Sequence, residues 1–335
     1  MTHGFGIIGT GGIAEVHARA IQSIGDQELI GVYDIDPVKT IYFGQKFNSR
    51  AYESTDDLCH DPNIDIVCIC TPSGLHLEPS LKALREGKHC IIEKPLEITL
   101  ERCDKIIEAG IKNAVIISGI FPMRFSDVNM ELKKAIDGER FGKFVLGDIY
   151  IKWYRSQAYY NDVKWRGSLG EGGGGAIMNQ GIHSIDLLQW CLGKVESVFA
   201  FTSSPGHEDI EVEDTAVAAL KFRNGALGVI EASTAVNPGF YRKIEILGTK
   251  GSVIVEEENI RTWKFDEENA DDHKIRTRFS GEQSSGGGVS DPKAISDEGH
   301  IRQFCDIIDA IEARKAVELV LAIYESAKHK KAVYL

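Results

Sequence analysis

The sequence predicts an α/β fold class: an N-terminal doubly wound parallel sheet, followed by a C-terminal α+β domain on a large, mostly antiparallel open sheet. Three observations predict it. Strand-like and helix-like patterns alternate through the first third. The first strand runs directly into a glycine-rich turn and an amphipathic helix. From Lys143 the pattern changes to longer strand-like runs joined by hairpin signals.

At 335 residues the chain exceeds what one hydrophobic core usually organises, and the change of pattern divides it into domains 1–123 and 124–335. In the first, the apolar run 5–9 ends in glycine, and residues 12–24 place Ile13, Val16, Ala20, Ile21 and Ile24 at helical spacing. The turn between them is Gly9-Thr10-Gly11-Gly12-Ile13-Ala14. Small residues in this G-x-G-x-x-A pattern permit a sharp bend, close approach of a pyrophosphate and tight packing of helix on strand. The phosphate would then lie at a helix N-terminus, where backbone N–H groups point outward and the helix dipole is positive.

A glycine string alone says little, because ordinary turns also collect glycine. Its context says more. A second strand over 28–33 ends at Asp34, roughly 20 residues after the glycines, where a carboxylate accepts hydrogen bonds from adenosine ribose hydroxyls. Strand, glycine turn, helix and carboxylate together predict a Rossmann domain that binds NAD. Asp34 repels the 2′-phosphate of NADP, which is the less favoured cofactor although Lys39 stands nearby.

Further strand patterns at 64–70, 89–92 and 114–119 are separated by helical ones at 75–86 and 100–112. Ligands of doubly wound sheets collect beyond the carboxyl ends of the strands. There the sequence places Thr71-Pro72-Ser73-Gly74-Leu75-His76 and Glu93-Lys94-Pro95, so Thr71, Pro72, His76, Glu93 and Lys94 join the turn residues as cofactor-binding candidates. The Lys94 ammonium can also donate to a reacting hydroxyl and stabilise developing alkoxide, which makes it a catalytic candidate.

In the second domain, runs at 215–222 and 226–232 flank Arg223-Asn224-Gly225, and runs at 243–247 and 252–256 flank Gly248-Thr249-Lys250-Gly251. The resulting sheet has a face free to pair subunits, in a homodimer or homotetramer. Residues 282–292 have loop composition and read as an exposed connector. Before the hairpins, Gly172 to Gly175 precede a helical pattern with Met178, Ile182, Ile185, Leu188 and Leu192 on one face. Asn179, His183 and Asp186 recur beside it at i, i+4 and i+7. An imidazole titrates near neutrality and can take or return an alcohol proton, so His183 is the candidate acid–base group, with a structural histidine as the alternative. One imidazole does not make a metal site, and no metal is expected.

Bulk properties exclude other classes. A net charge of −12 repels a nucleic-acid backbone, and no basic run interleaved with aromatics offsets it. About 18 consecutive apolar residues, the length of a membrane span, occur nowhere. Seven cysteines without paired CxxC spacing suit reduced thiols and a cytoplasmic protein, with Cys68 and Cys70 as buried small hydrophobes.

Gly9-x-Gly11-x-x-Ala14, Glu93-Lys94-Pro95, Trp165-Arg166-Gly167 and the glycine run leading to Asn179-Gln180-Gly181-Ile182-His183 resemble the Gfo/Idh/MocA family of NAD(P)-dependent oxidoreductases along nearly the whole chain. The resemblance implies action on a sugar, a polyol such as inositol, or a nucleotide-linked sugar. It implies that Lys94 touches substrate and nicotinamide ribose, that His183 is acid and base, and that Arg124, Trp165 and Arg166 border the cofactor site. Many relatives carry aspartate four residues before the histidine, whereas Asn179 can bond to substrate but cannot be a carboxylate base. Asn179, Gln180 and Tyr159-Tyr160 are similar to UDP-N-acetylglucosaminuronate 3-dehydrogenases. Two other functions fit the motifs: an NAD-dependent glycosidase that oxidises its sugar transiently, and a non-catalytic dinucleotide-binding regulator. Near the end, 307–312 runs into 314–327 without the loop usual in relatives, so that either two helices fuse or residues are missing.

Overall fold

The computed structural model describes residues 3–281, 297–306 and 310–335, and the side chains within them except those of 310–315. The expected connector at 282–292 and the junction at 307–309 lie outside the described residues. The chain forms two compact units, residues 1–122 with 170–173 and 297–317, and residues 123–169 with 174–296 and 318–335.

The first unit is built on a six-stranded parallel sheet in the order β3-β2-β1-β4-β5-β6. Its strands are β1 (His3–Ile8), β2 (Gln27–Tyr33), β3 (Arg50–Ala51), β4 (Ile66–Ile69), β5 (His89–Ile92) and β6 (Ile117–Gly119). Its helices include α1 (Gly12–Ser23), α2 (Pro37–Phe47), α3 (Thr55–His60), α4 (Leu77–Arg85) and α5 (Leu100–Asn113). Ala14, Ala18 and Ile21 of α1 pack with Phe5 and Ile7 of β1 and with Leu29, Val32, Phe43 and Phe47 in one buried cluster. Each apolar face buried in this way is worth about 25 cal/mol per Å² removed from water. The strand order reverses between β1 and β4, so the ends of these two strands flank the switch point where such sheets bind ligands.

Helix α2 went unread in the sequence. Val38, Ile41 and Tyr42 stay exposed on it while Phe43 and Phe47 are buried, so apolar residues occupy both sides and blur the 3.6-residue period. Its start was nonetheless written locally: Pro37 is the first helical residue, and the Asp36 carboxylate caps the N–H groups of Val38 and Lys39 at 3.0 and 3.3 Å.

The second unit carries an eight-stranded sheet in the order β13-β12-β11-β7-β10-β9-β8-β14. Its strands are β7 (Phe144–Lys152), β8 (Val195–Ser203), β9 (Thr215–Phe222), β10 (Leu227–Ser233), β11 (Lys243–Gly248), β12 (Gly251–Glu256), β13 (Asn259–Phe265) and β14 (Val333–Tyr334). Both expected hairpins form, β9 with β10 and β11 with β12, and β7 pairs with β10 in parallel. Strand β9 buries Ala216, Ala218, Leu220 and Phe222 and turns Val217, Ala219 and Lys221 outward, the alternation of a sheet with one packed face. The remaining helices are α6 (Asp127–Asp137), α7 (Gln157–Asn161), α8 (Leu169–Gly172), α9 (Ile182–Leu192), α10 (Asp272–Arg278), α11 (Glu298–Cys305) and α12 (Ala310–His329). Helix α12 continues unbroken through 312–314. No helix among the described residues is long and apolar enough to cross a membrane.

Helix α11 belongs to the first unit. Gln303 donates to the Gly119 carbonyl at 2.5 Å and accepts from the Phe121 N–H at 2.8 Å, and Arg19 pairs with Asp297 at 2.6 Å. The Phe304 ring stacks on Phe5 at 6.1 Å and meets the edge of His17 at 5.1 Å.

In the second unit the buried Asp272 joins α10 to β13. Its carboxylate accepts two bonds from Arg140 at 2.7 Å, one from Trp263 Nε1 at 2.6 Å and one from the Asn269 N–H at 2.7 Å. Burial pushes its pKa up, but these donors outweigh burial and hold it well below the usual carboxylate range. A carboxylate whose pKa is depressed on folding stabilises above its unfolded value, near 3.9, and ceases to do so as pH falls through the folded one. Asp272→Asn is expected to cost about 3 kcal/mol in urea unfolding at neutral pH. The gap from the parent should narrow as pH drops below about 4; a gap independent of pH would show that the charge is not what stabilises.

Candidate active site

At the switch point Gly9 has φ +90°, and a Cβ there would lie 2.7 Å from the Cys70 carbonyl oxygen, so only glycine fits. Gly11 and Gly12 differ: they are exposed, and a Cβ on either would meet nothing within 4 Å. They leave open space in front of the first turn of α1, whose amides are the unsatisfied donors of a helix start. Ala14, three residues on, is fully buried against the sheet, with Ile13 partly buried beside it.

Asp34 already has work within the fold. One oxygen accepts from Thr10 N–H at 2.8 Å and Thr10 Oγ1 at 3.0 Å, and the other accepts from Asp36 N–H at 3.0 Å. The carboxylate therefore ties the glycine turn to the end of β2, and its remaining lone pairs can still take ribose hydroxyls. Open space over Gly11 and Gly12, a helix start and a fixed carboxylate fit a dinucleotide.

The loops after β4 and β5 are joined to each other. The His76 ring is buried, with Nδ1 2.9 Å from the Pro95 carbonyl and Nε2 3.0 Å from the Thr71 carbonyl. Burial pushes its pKa down against these acceptors, so the ring is neutral and its single N–H serves one carbonyl at a time. Thr71 and Pro72 remain partly exposed, as does Lys94, which precedes a cis peptide bond to Pro95. Burial of the Lys94 ammonium lowers its pKa, while the neighbouring Glu93 carboxylate opposes the change. Glu93 itself is buried: one oxygen accepts the Lys94 N–H at 3.1 Å, and the other lies 2.8 Å from His17 Nε2.

In the second unit the glycine run passes hard against the segment before β9. A Cβ on Gly175 would stand 1.9 Å from the Glu213 carbonyl oxygen, a carbonyl that accepts the Ala176 N–H at 2.9 Å. The buried Glu213 carboxylate accepts the N–H of Gly175 at 3.0 Å, the N–H of Ile177 at 2.8 Å and the Tyr324 hydroxyl at 3.1 Å. Tyr324 in turn accepts the Met178 N–H at 3.2 Å. Two side chains thus satisfy the amides that open the helix.

That opening is a π-helix over Ala176–Gly181, which continues into α9. The expected apolar stripe of Met178, Ile182, Ile185, Leu188 and Leu192 is buried across this change of turn. Along residues 176–188 only Asn179, Gln180 and His183 keep accessible surface. Asp186, expected beside them, is buried in a bidentate ion pair with Arg124, at 2.7 and 2.5 Å. Arg124 also lies 5.7 Å from the Trp190 ring, so this candidate for bordering the cofactor is committed to holding α9.

Trp165 and Arg166 lie partly exposed on a 3-10 turn. Arg166 donates to the Tyr159 carbonyl at 3.1 Å, with its guanidinium 4.1 Å from the Tyr159 ring. Gln180 donates to the Tyr159 hydroxyl at 3.0 Å and accepts from Arg155 at 2.9 Å. Tyr159, Gln180, Arg155 and Arg166 therefore form one cationic, hydrogen-bonding cluster next along the chain to Asn179 and His183. Reading the sequence missed Arg155, Glu213, Tyr324 and His17. The signal for His17 was present: it occupies the apolar stripe of α1 between Ile13 and Ile21.

Glu213→Gln would replace an acceptor-only group by one with an amide that cannot accept. One backbone N–H of the π-helix is then left without a partner, at about 2 kcal/mol in unfolding free energy. NAD affinity should stay within about twofold, since every glycine-turn candidate lies in the other unit. Unchanged stability would show that the carboxylate does not hold the helix start.

Residues 3–120 match the family described as "Oxidoreductase family, NAD-binding Rossmann fold", and residues 129–254 match the "GFO/IDH/MocA C-terminal domain". The chain is 32% identical over 262 residues to the myo-inositol 2-dehydrogenase of Thermotoga maritima, covering 76% of this chain and 75% of that protein. The WlbA dehydrogenase of Bordetella pertussis, solved with NADH and UDP-GlcNAcA, superimposes with a TM-score of 0.87 at 31% identity, covering 100% of this chain and 99% of that one. The WlbA dehydrogenase of Chromobacterium violaceum, also solved with NADH and UDP-GlcNAcA, does so with a TM-score of 0.88 at 33% identity, covering 100% and 96%. With both domain types matched in order and the relatives similar across most of their length, the chain belongs to the Gfo/Idh/MocA family of NAD-binding oxidoreductases.

Proposed function

We propose that this oxidoreductase is a dehydrogenase of a nucleotide-linked amino-sugar acid of the UDP-GlcNAcA class, using NAD. The observation that carries the substrate choice is the cluster of Arg155 and Arg166 around Tyr159 and Gln180, adjoining Asn179 and His183. Arg155 is buried and braces Gln180, whereas the partly exposed Arg166 guanidinium, fixed on the Tyr159 ring, suits carboxylate and diphosphate oxygens, which a neutral inositol lacks. The structures of 31% and 33% identity that span the whole chain were solved with UDP-GlcNAcA, in agreement with this choice.

Bound NAD supplies the hydride acceptor. Gly9, Thr10, Gly11, Gly12, Ile13 and Ala14 shape the diphosphate site, and Asp34 takes the adenosine ribose. Thr71, Pro72 and His76 shape the neighbouring loop, with Trp165 and Arg166 on the substrate side. Arg124 acts through Asp186, by fixing α9. The His183 imidazole takes the proton of the reacting hydroxyl, and the Lys94 ammonium hydrogen-bonds the same oxygen as its charge grows. Asn179 orients the sugar by hydrogen bonding and takes no proton.

The outward face of the second sheet is proposed to pair with a second copy, in a homodimer or homotetramer. Leu146 and Leu227 are register partners there, as are Phe201 and Val217, and all four are exposed. Seven free cysteines suit a cytoplasmic protein.

Incubation with NAD and UDP-GlcNAcA should produce NADH in step with oxidised sugar. Lys94→Ala and His183→Ala should each lower kcat by at least about 100-fold, with NAD affinity intact in His183→Ala. Turnover of myo-inositol with none of the UDP-sugar would overturn the substrate, and glycoside cleavage without net NADH would replace the reaction by a hydrolysis. For the cofactor, Asp34→Ser should narrow the preference for NAD over NADP by about tenfold, or about 1.4 kcal/mol; an unchanged ratio would remove Asp34 from the ribose site.

A further inference from the structure

Three buried side chains from three elements of the first unit meet at the carboxyl end of β5, and the reaction as proposed uses none of them directly. His17 comes from α1, Glu93 follows β5 and His300 comes from α11, with exposures of 0%, 5% and 3%. His17 Nε2 is 2.8 Å from Glu93 Oε1, and His300 Nε2 is 3.9 Å from the same oxygen. The other Glu93 oxygen accepts the backbone N–H of Lys94 at 3.1 Å. On the far side of the imidazole, His17 Nδ1 lies 3.5 Å from Cys70 Sγ.

The three liganding atoms lie within 4.8 Å of one another, a spacing that could hold a cation. The contact at 2.8 Å decides against it. Ligands that each stand about 2 Å from one metal in tetrahedral geometry sit more than 3 Å apart, whereas a hydrogen-bonded nitrogen and oxygen sit where these do. The protons can be placed as well. Burial pushes the Cys70 thiol well up, so it keeps its S–H and can donate to Nδ1. A ring that accepts at Nδ1 carries its N–H on Nε2, pointing at Glu93.

We propose that His17 is a positioning residue for hydride transfer: its Nε2–H, oriented by Cys70, holds the Glu93 carboxylate turned back onto the Lys94 amide and so places a fixed negative charge beside the Lys94 ammonium. The inference rests on the reading of Lys94 as the group that meets the reacting oxygen. Burial alone would push the Glu93 pKa up. The His17 hydrogen bond, with the positive charge of Lys94 nearby, brings it down. Without the His17 donor, Glu93 is a buried carboxylate short of a partner and tends to take up a proton. Lys94, whose charged form burial already disfavours, then loses its support. The other titratable groups facing this pair are Cys68 of β4, Cys70 just after it, His76 before α4 and His300 of α11.

The test compares the pH dependence of kcat in the parent, His17→Phe and His17→Gln. Lys94 must be protonated to donate, so His17→Phe should lower kcat at least tenfold and move its alkaline limb to lower pH by about one unit, with NAD affinity within about twofold. Glutamine carries an N–H near the place of Nε2, and His17→Gln should recover most of both. A limb that stays in place in His17→Phe, or equal losses in the two variants, would overturn the proposal. A second arm needs neither catalysis nor a folded variant: nitrogen-15 NMR of the parent's histidine rings at mildly alkaline pH should show His17 as the Nε2–H tautomer. The Nδ1–H tautomer, or a metal bound stoichiometrically in the purified protein, would overturn it. Absence of turnover in the parent with the Nε2–H tautomer intact would instead count against the dehydrogenase reading, which keeps the two failures apart.

Discussion

The contact on which the first unit depends is the close approach of Gly9 to the Cys70 carbonyl. A left-handed residue without a side chain lets β1 end against the neighbouring strand and turn at once into α1. Every later feature of that site inherits the geometry. The glycines that follow stand clear of other atoms, Ala14 seats the helix on the sheet, and Asp34 reaches across from β2 to bond with Thr10. A larger residue at position 9 would part β1 from β4 at the point where the sheet reverses its order.

Around this frame, carboxylates do what backbone pairing cannot. Glu97 is fully buried; it accepts the N–H groups of Leu77 and Ile98 and pairs with Arg102 at 2.8 Å. Glu93 folds back on Lys94, and Glu213 accepts two amides of the π-helix. In each case an ionisable group holds a loop or helix start whose amides have no strand or helix partner. A carboxylate offers about four lone-pair sites, more than any neutral side chain. At Glu93 the donors outweigh desolvation and lower the pKa, whereas at Glu213 burial outweighs them and raises it. Candidate catalytic side chains stand directly on these anchored segments: Lys94 follows Glu93, and Asn179 lies on the helix start that Glu213 holds. Such anchoring gives a reacting group a fixed geometry without lengthening the secondary structure that carries it.

The two units differ in charge at their candidate sites. The first has open space at Gly11 and Gly12 beside one carboxylate, Asp34, while the second gathers Arg155 and Arg166 on the Tyr159 face. In a chain of net charge −12, two guanidinium groups are held on one tyrosine, Arg155 buried and Arg166 partly exposed.

The sequence by itself determined the succession of strands and helices, the glycine turn, the two hairpins and the identities of Lys94, Asn179 and His183 as candidates. These are legible because periodicity, turn chemistry and motif spacing act over a few neighbouring residues. It failed locally at α2, where apolar residues on both sides hide the period, and at residues 176–181, where a π-turn replaces the α-helical one. Tertiary structure alone decided the partners of buried polar groups. His17 and Glu93 are 76 residues apart, Arg124 and Asp186 are 62 apart, and Glu213 and Tyr324 are 111 apart. A buried charge must find its counterpart wherever the fold brings one close, and no pattern along the chain records that meeting.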